Sequence, residues 1–258
     1  MKFELKKRIS EWYNLTYSNI TESILGEINL PILSWTNKFL KGLQSSSIIL
    51  DGGCGTGKIS INCGKKHRII CVDISMNEIR IAHTAAKKMK LANLDFVLAD
   101  LENLPFRAQI FSFAYFWGTF EYISNPLDIF KEIKRTLQSK GKFIFNVYNR
   151  GGFFYFISRL KIFRKLFNSY FRPTDISNLI FAFNKTEIRK NLKALDFKIN
   201  KLYGGNLRET LILFTNYSLL LKKIKKIILI FAKFIEISFL GSYICSTLLI
   251  VAEKKVFK

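Results

Sequence analysis

The chain is poor in the residues that staple or ligate. Four cysteines, Cys54, Cys63, Cys71 and Cys245, are spread through 258 residues without a C-x-x-C pair, and the histidines are only His67 and His83. That composition excludes a zinc cluster or a disulfide framework, so buried free thiols in a reducing cytoplasm, and no metal, are expected. Four prolines, no internal repeat and no low-complexity linker leave one domain as the default for this length. Met1 to Trp12 is charged and lacks the apolar core of a secretory signal. The uncharged run Ile237 to Ala252 has 16 residues, short of the ~20 that a spanning helix needs. Acids are scarce as well, 19 against 41 Lys and Arg, for a net charge of +22. Such a chain is drawn to polyanions, either nucleic acid or an anionic membrane, but AT-biased codon usage also yields Lys-, Ile-, Phe- and Asn-rich chains. Charge alone therefore selects no partner.

What is present is an apolar run closing on an acid and glycines: Ile48-Ile49-Leu50-Asp51-Gly52-Gly53-Cys54-Gly55-Thr56-Gly57. Glycines alternating directly after a buried strand let backbone N–H groups approach a ligand that a Cβ would hold off, and the next helix offers its positive end. The dinucleotide loop Gly-x-Gly-x-x-Gly does not fit, because its sixth position falls on Lys58 from Gly53 and on Ser60 from Gly55. The triphosphate loop fits from Gly52 to Lys58, then meets Ile59 where a magnesium-binding hydroxyl belongs. Arg68 to Ser75 reads as a second buried strand closing on Asp73, 22 residues beyond Asp51, about where a Rossmann-like unit places its ribose-binding carboxylate. Leu94 to Leu98 and Phe111 to Trp117 are the next strand candidates. Leu127 to Leu137 reads as a helix with Phe130, Ile133 and Leu137 on one face. Ser139-Lys140-Gly141-Lys142 is a turn into a fifth strand, Phe143 to Val147. This alternation predicts a parallel sheet covered on both faces.

Asp51, Gly53, Gly55 and Gly57 spell Asp-x-Gly-x-Gly-x-Gly; Ala99-Asp100-Leu101 with Leu104-Pro105-Phe106, then Gly118-Thr119-Phe120-Glu121-Tyr122-Ile123, follow in order. Together they resemble class I S-adenosylmethionine-dependent methyltransferases of the small-molecule, quinone-biosynthesis-like branch, whose Leu-Glu-His-Ile turn here carries Tyr122 in place of the histidine. The resemblance covers about residues 46 to 147 and returns at Lys185 to Phe197, with Asp196 where a glycine is usual, and at Ser246 to Lys254. It implies an α/β fold: a Rossmann-like, seven-stranded, mostly parallel sheet with helices on both faces and an antiparallel last strand between strands five and six. It implies S-adenosyl-L-methionine as cofactor. The backbone from Gly53 through Cys54 and Gly55 to Gly57 would approach its methionine and ribose portions. Asp51 would order water or the amino group, Asp73 would take the ribose hydroxyls and Asp100 the adenine amine, with Ile74 and Leu101 around the base and Trp117 lining the site.

The expected layout is one methyltransferase domain over 1–258. Residues 1–45 form N-terminal lid-like helices carrying Trp12, Tyr13, Tyr17 and Trp35; 46–147 form the cofactor-binding core; 150–183 and 206–245 are basic amphipathic insertions; 184–205 and 246–255 are closing strands. Phe153 to Arg172 is aromatic, with Arg159, Lys161, Arg164, Lys165 and Arg172 and no acid. Asn216 to Glu236 sets Leu220, Ile224, Ile227, Ile228, Phe231 and Ile235 on one helical face. Such faces either dock on an anionic leaflet or pack as a substrate cover. Trp117-Gly118-Thr119-Phe120 stands where nucleic-acid amino-methyltransferases carry Asn-Pro-Pro-Tyr, which weighs against base methylation. The Glu-x-x-Glu-His of quinone-type O-methyltransferases is reduced to Glu121, which weighs against metal assistance. Candidate bases for an acceptor hydroxyl are Glu121, Tyr148 and His83, each more at home as a structural residue: a helix-start acid, a packed aromatic and an exposed helix position. The expected protein is a cytoplasmic methyltransferase for a small-molecule or lipid-linked acceptor, peripheral on the inner membrane face if the insertions bind lipid. Its rivals are an RNA methyltransferase using the basic surface and a non-catalytic binding protein that keeps the fold.

Overall fold

The computed structural model describes residues 30–63, 67–123, 125–153, 181–205, 230–236, 240–245 and 247–256. Trp12, Tyr13, Tyr17 and most of the two basic segments lie outside the described residues. In chain order the elements are α1 (Leu30–Leu40), β1 (Ile48–Gly52), α2 (Lys58–Cys63), β2 (Arg68–Asp73), α3 (Met76–Lys88), β3 (Leu94–Leu98), β4 (Phe111–Phe116), α4 (Leu127–Thr136), β5 (Leu137–Asn149), β6 (Ala182–Phe183), α5 (Lys185–Ala194), β7 (Phe197–Gly205), α6 (Gly241–Ile244) and β8 (Thr247–Lys254). The strands lie in the order β3-β2-β1-β4-β5-β8-β7, with β6 paired on β5. The sheet is mostly parallel with antiparallel C-terminal strands, the Rossmann-like arrangement expected. It holds eight strands rather than seven because the two-residue β6 pairs Ala182 with Tyr148 and Phe183 with Asn149.

The described residues form two compact units. The first comprises those up to Thr119, 125–144 and 253–256. Its parallel strands are apolar runs buried on both sides: Ile49, Leu50, Ile69, Cys71 and Val72 are fully enclosed. Register sets Asp51 beside Cys71 and Asp73 beside Leu98, so the strands β1, β2 and β3 run out at one edge. Phe111, Phe113, Tyr115, Phe116 and Phe143 fill the core, with Phe116 edge-on to Phe143 at 5.1 Å between centroids. Ser75 caps α3 by accepting the Glu78 N–H.

Strand β5 begins at Leu137, where α4 ends, so the expected turn at 139–142 is a kink inside the strand. Lys140 takes a left-handed φ of 61° there. All four cysteines are free thiols.

The second unit comprises 120–123 and the described residues from Phe145 to Ala252. Asn184 caps α5 by accepting the Glu187 N–H at 2.9 Å. Asp196, standing where a glycine is usual, takes φ 56° between α5 and β7, a conformation an Asp tolerates better than most side chains. Asn149 Nδ2 donates to the carbonyls of Ser242 and Cys245, both at 3.0 Å, and so ties β5 to the α6 turn. Among the described residues no helix is long and apolar enough to cross a membrane.

Candidate functional site

The glycine loop folds back on β2. The N–H groups of Gly53 and Cys54 both donate to the Val72 carbonyl, at 2.8 and 3.0 Å. Gly53, Gly55 and Gly57 have φ of 70°, 53° and 72°, a region that L side chains rarely enter. Space excludes a side chain at Gly53 as well: a Cβ there would lie 2.5 Å from Thr119 Oγ1. Thr119 in turn donates to the Gly52 carbonyl at 2.9 Å, which fixes the loop from the end of β4.

Asp73 holds the loop from the other side. Its Oδ2 accepts the Gly55 N–H at 2.8 Å and its Oδ1 accepts the Ser75 N–H at 2.9 Å. The Ile74 N–H is a third backbone donor to this carboxylate. Burial raises the Asp73 carboxyl despite these backbone donors.

Asp51 lies beneath, 4% exposed. Ser60 Oγ donates to its Oδ2 at 2.6 Å and sits 2.6 Å from the Tyr115 hydroxyl. With the Ser60 hydrogen given to Asp51, Tyr115 is the donor to Ser60, and the proton chain runs Tyr115 to Ser60 to Asp51. Burial pushes Asp51 up to about 7, opposed by the Ser60 hydrogen bond and the Tyr115 hydroxyl behind it and reinforced by the Asp73 charge. Half-buried Cys54 is held well above the usual thiol range, chiefly by its hydrogen bond with Cys71, then by burial.

The loop after β3 carries Asp100 and Leu101. Asp100 Oδ1 accepts the Glu102 N–H at 3.0 Å, a local turn that holds the carboxyl at the strand end. The rest of this loop is clamped by α4: Arg135 donates to the carbonyls of Phe106 and Leu104, at 2.6 and 2.9 Å, and Glu132 accepts the Leu104 N–H at 2.9 Å. Leu101 is buried, whereas Ile74, Met76 and Leu98 stand 38%, 43% and 45% exposed where β2 and β3 end. Trp117, just past β4, donates through Nε1 to Thr36 Oγ1 of α1 at 2.9 Å.

The structure thus gathers Asp51, Asp73 and the loop from Gly53 to Gly57. His83 sits on the exposed side of α3, edge-on to Phe96 at 6.0 Å. Glu121 and Tyr148 belong to the second unit. Burial alone pushes the Glu121 carboxyl up to about 7, and its backbone carbonyl accepts the Phe181 N–H at 2.7 Å. Tyr148 lies in β5 opposite Ala182. Among the described residues no group of His, Cys, Asp and Glu is gathered to hold a metal ion. Ser60, Tyr115, Thr119 and Thr36 brace the candidate site residues Asp51 and Trp117 and the glycine loop, supports that the sequence reading did not single out.

Residues 50–145 match the family described as "Methyltransferase domain". The ubiquinone/menaquinone biosynthesis C-methyltransferase of Rickettsia massiliae is 34% identical over 122 residues, 43% of this chain and 48% of the relative. The sterol 4-C-methyltransferase of Caenorhabditis elegans is 33% identical over 97 residues, 37% and 29% of the two chains. The chain spans half or less of the length of these curated relatives. The geranyl diphosphate C-methyltransferase of Streptomyces coelicolor, solved with S-adenosyl-L-homocysteine, shares the fold at TM-score 0.58 and 16% identity, over 92% of this chain and 84% of its own.

Proposed function

We propose that this protein, whose residues 50–145 match the family described as "Methyltransferase domain", transfers a methyl group from S-adenosyl-L-methionine to a small-molecule acceptor. The observation that carries the reading is the bare-backbone loop at Gly53 to Gly57, bracketed by Asp73 above and by buried Asp51 below. The residues fit the cofactor: a side chain at Gly53 would fill the cradle, and the Asp73 carboxylate stands beside it, bonded to the Gly55 N–H. Bound there, S-adenosyl-L-methionine supplies an activated methyl for in-line displacement by an acceptor atom.

The chain's own task is to bind, orient and keep water out, and proximity of this kind supplies ~7–11 kcal/mol of barrier reduction. In this reading Asp73 accepts a ribose hydroxyl, Asp51 orders the amino group or a water, and Asp100 accepts the adenine amine. Exposed Ile74 closes over one side of the base and Leu101 over the other.

Two measurements test this. Calorimetry with S-adenosyl-L-homocysteine is expected to show binding at one site per chain, and no binding refutes the reading. Incubation with radiolabelled methyl donor and fractionated lysate is expected to place label in small molecules or lipid; label confined to RNA would refute the acceptor class.

A lipid-linked acceptor presented at an anionic membrane is a second reading, favoured by one observation. In the second unit Ile230, Phe231, Phe234, Leu240 and Tyr243 are all exposed, with Lys233 among them, on a chain of net charge +22. Exposed aromatic residues with a lysine among them suit a headgroup boundary. Cosedimentation with phosphatidylglycerol vesicles, lost for Phe231→Ser/Phe234→Ser and absent with neutral vesicles, is the expected result. Equal, negligible binding to both vesicle types refutes it.

A further inference from the structure

Glu78 is a buried carboxyl with one oxygen unmet. It is the third residue of α3 and 2% exposed, and its Oε1 has no hydrogen-bond partner. An acid in this position after a serine cap ordinarily turns back to take the cap's own N–H. Here that donor is spent, because the Ser75 N–H goes to Asp73 at 2.9 Å while Ser75 Oγ accepts the Glu78 N–H at 3.3 Å. Glu78 reaches instead to the glycine loop. Its Oε2 lies 3.4 Å from the place a Cβ on Gly55 would take, and the Gly55 N–H is itself given to Asp73. Two carboxyls therefore flank one glycine, and burial, then the Asp73 charge, push Glu78 up to about 7. A buried carboxyl oxygen left without a donor costs more than an ordinary hydrogen bond returns, so the arrangement has a donor missing.

We infer that Glu78 is a further cofactor-binding residue and that the donor it lacks is a ribose hydroxyl, the one of the vicinal pair that Asp73 does not hold. The inference rests on the methyltransferase reading above. Each Asp73 oxygen already accepts a backbone N–H, so Glu78 gives the second hydroxyl an acceptor of its own. A nucleoside lacking that hydroxyl leaves the carboxyl unmet and is selected against.

The test uses the full chain and Glu78→Met, which keeps the side-chain length and removes the acceptor. Both proteins are titrated by calorimetry with S-adenosyl-L-homocysteine and with its 2′-deoxy and 3′-deoxy forms, and both are melted without ligand. The variant is expected to melt at or above the wild type, to bind S-adenosyl-L-homocysteine about tenfold or more weakly, and to lose the penalty that the wild type shows against one of the two deoxy forms. Wild-type affinity in the variant overturns the inference while leaving the methyltransferase reading intact, and so does equal weakening toward all three ligands. Absence of S-adenosyl-L-homocysteine binding by the wild type overturns the methyltransferase reading and this inference with it.

Discussion

A single methyl group at Gly53 meets two obstacles, a φ of 70° and the side chain of Thr119. Gly53→Ala is therefore expected to cost about 1–3 kcal/mol in urea unfolding and to weaken the cofactor more than it weakens the fold, because Thr119 must shift and its bond to the Gly52 carbonyl goes with it. A parallel calorimetric titration checks the second part. Asp51 behaves differently, since its neighbours satisfy one oxygen while burial penalises its charge. Asp51→Asn removes the ionisable group but keeps an acceptor for Ser60. That variant is expected to fold and to bind cofactor poorly.

At the scale of elements, the α4 clamp on the loop after β3 is the contact most exposed to test. Arg135 holds two loop carbonyls and Glu132 at once. Arg135→Ala is expected to cost about 1–2 kcal/mol, less than a fully buried charged network because the side chain is 38% exposed. Faster amide exchange at Leu104, whose N–H goes to Glu132, would show that the loop itself has loosened. Unchanged exchange there would show that the clamp does not order it. Much of this architecture is legible in the amino-acid order. Runs such as Ile48 to Leu50 and Ile69 to Val72 are apolar because both faces are covered, and each closes on an acid or glycine at the strand end. The turn at Asp196 was less legible, because an Asp stands where a glycine is usual, yet it takes the left-handed conformation all the same. The supports of the site were not readable, for they join residues far apart in the chain. Ser60 meets Tyr115 across 55 positions and Trp117 meets Thr36 across 81, and neither pair has a local spacing to betray it. Strand β5 was underestimated because the kink at Lys140 carries turn-like residues without ending the strand.

For the whole molecule, the buried carboxyls set the response to pH. Asp51, Glu78 and Glu121 are each raised to about 7 from ordinary values near 4 by burial. The folded chain thus keeps protons there that the unfolded chain has already lost, and folding gains stability below the ordinary values that is surrendered as pH climbs to about 7. The ligand-free protein is expected to melt at a higher temperature at pH 5 than at pH 8. Asp51→Asn is expected to flatten that slope, and an unchanged slope would show that this carboxyl does not carry it. The indole of Trp117 closes the circuit between chemistry and observation. Fastened at its nitrogen to Thr36, beside the proposed cofactor crevice, it is an intrinsic fluorophore whose emission should register occupancy of the nucleoside without any dye.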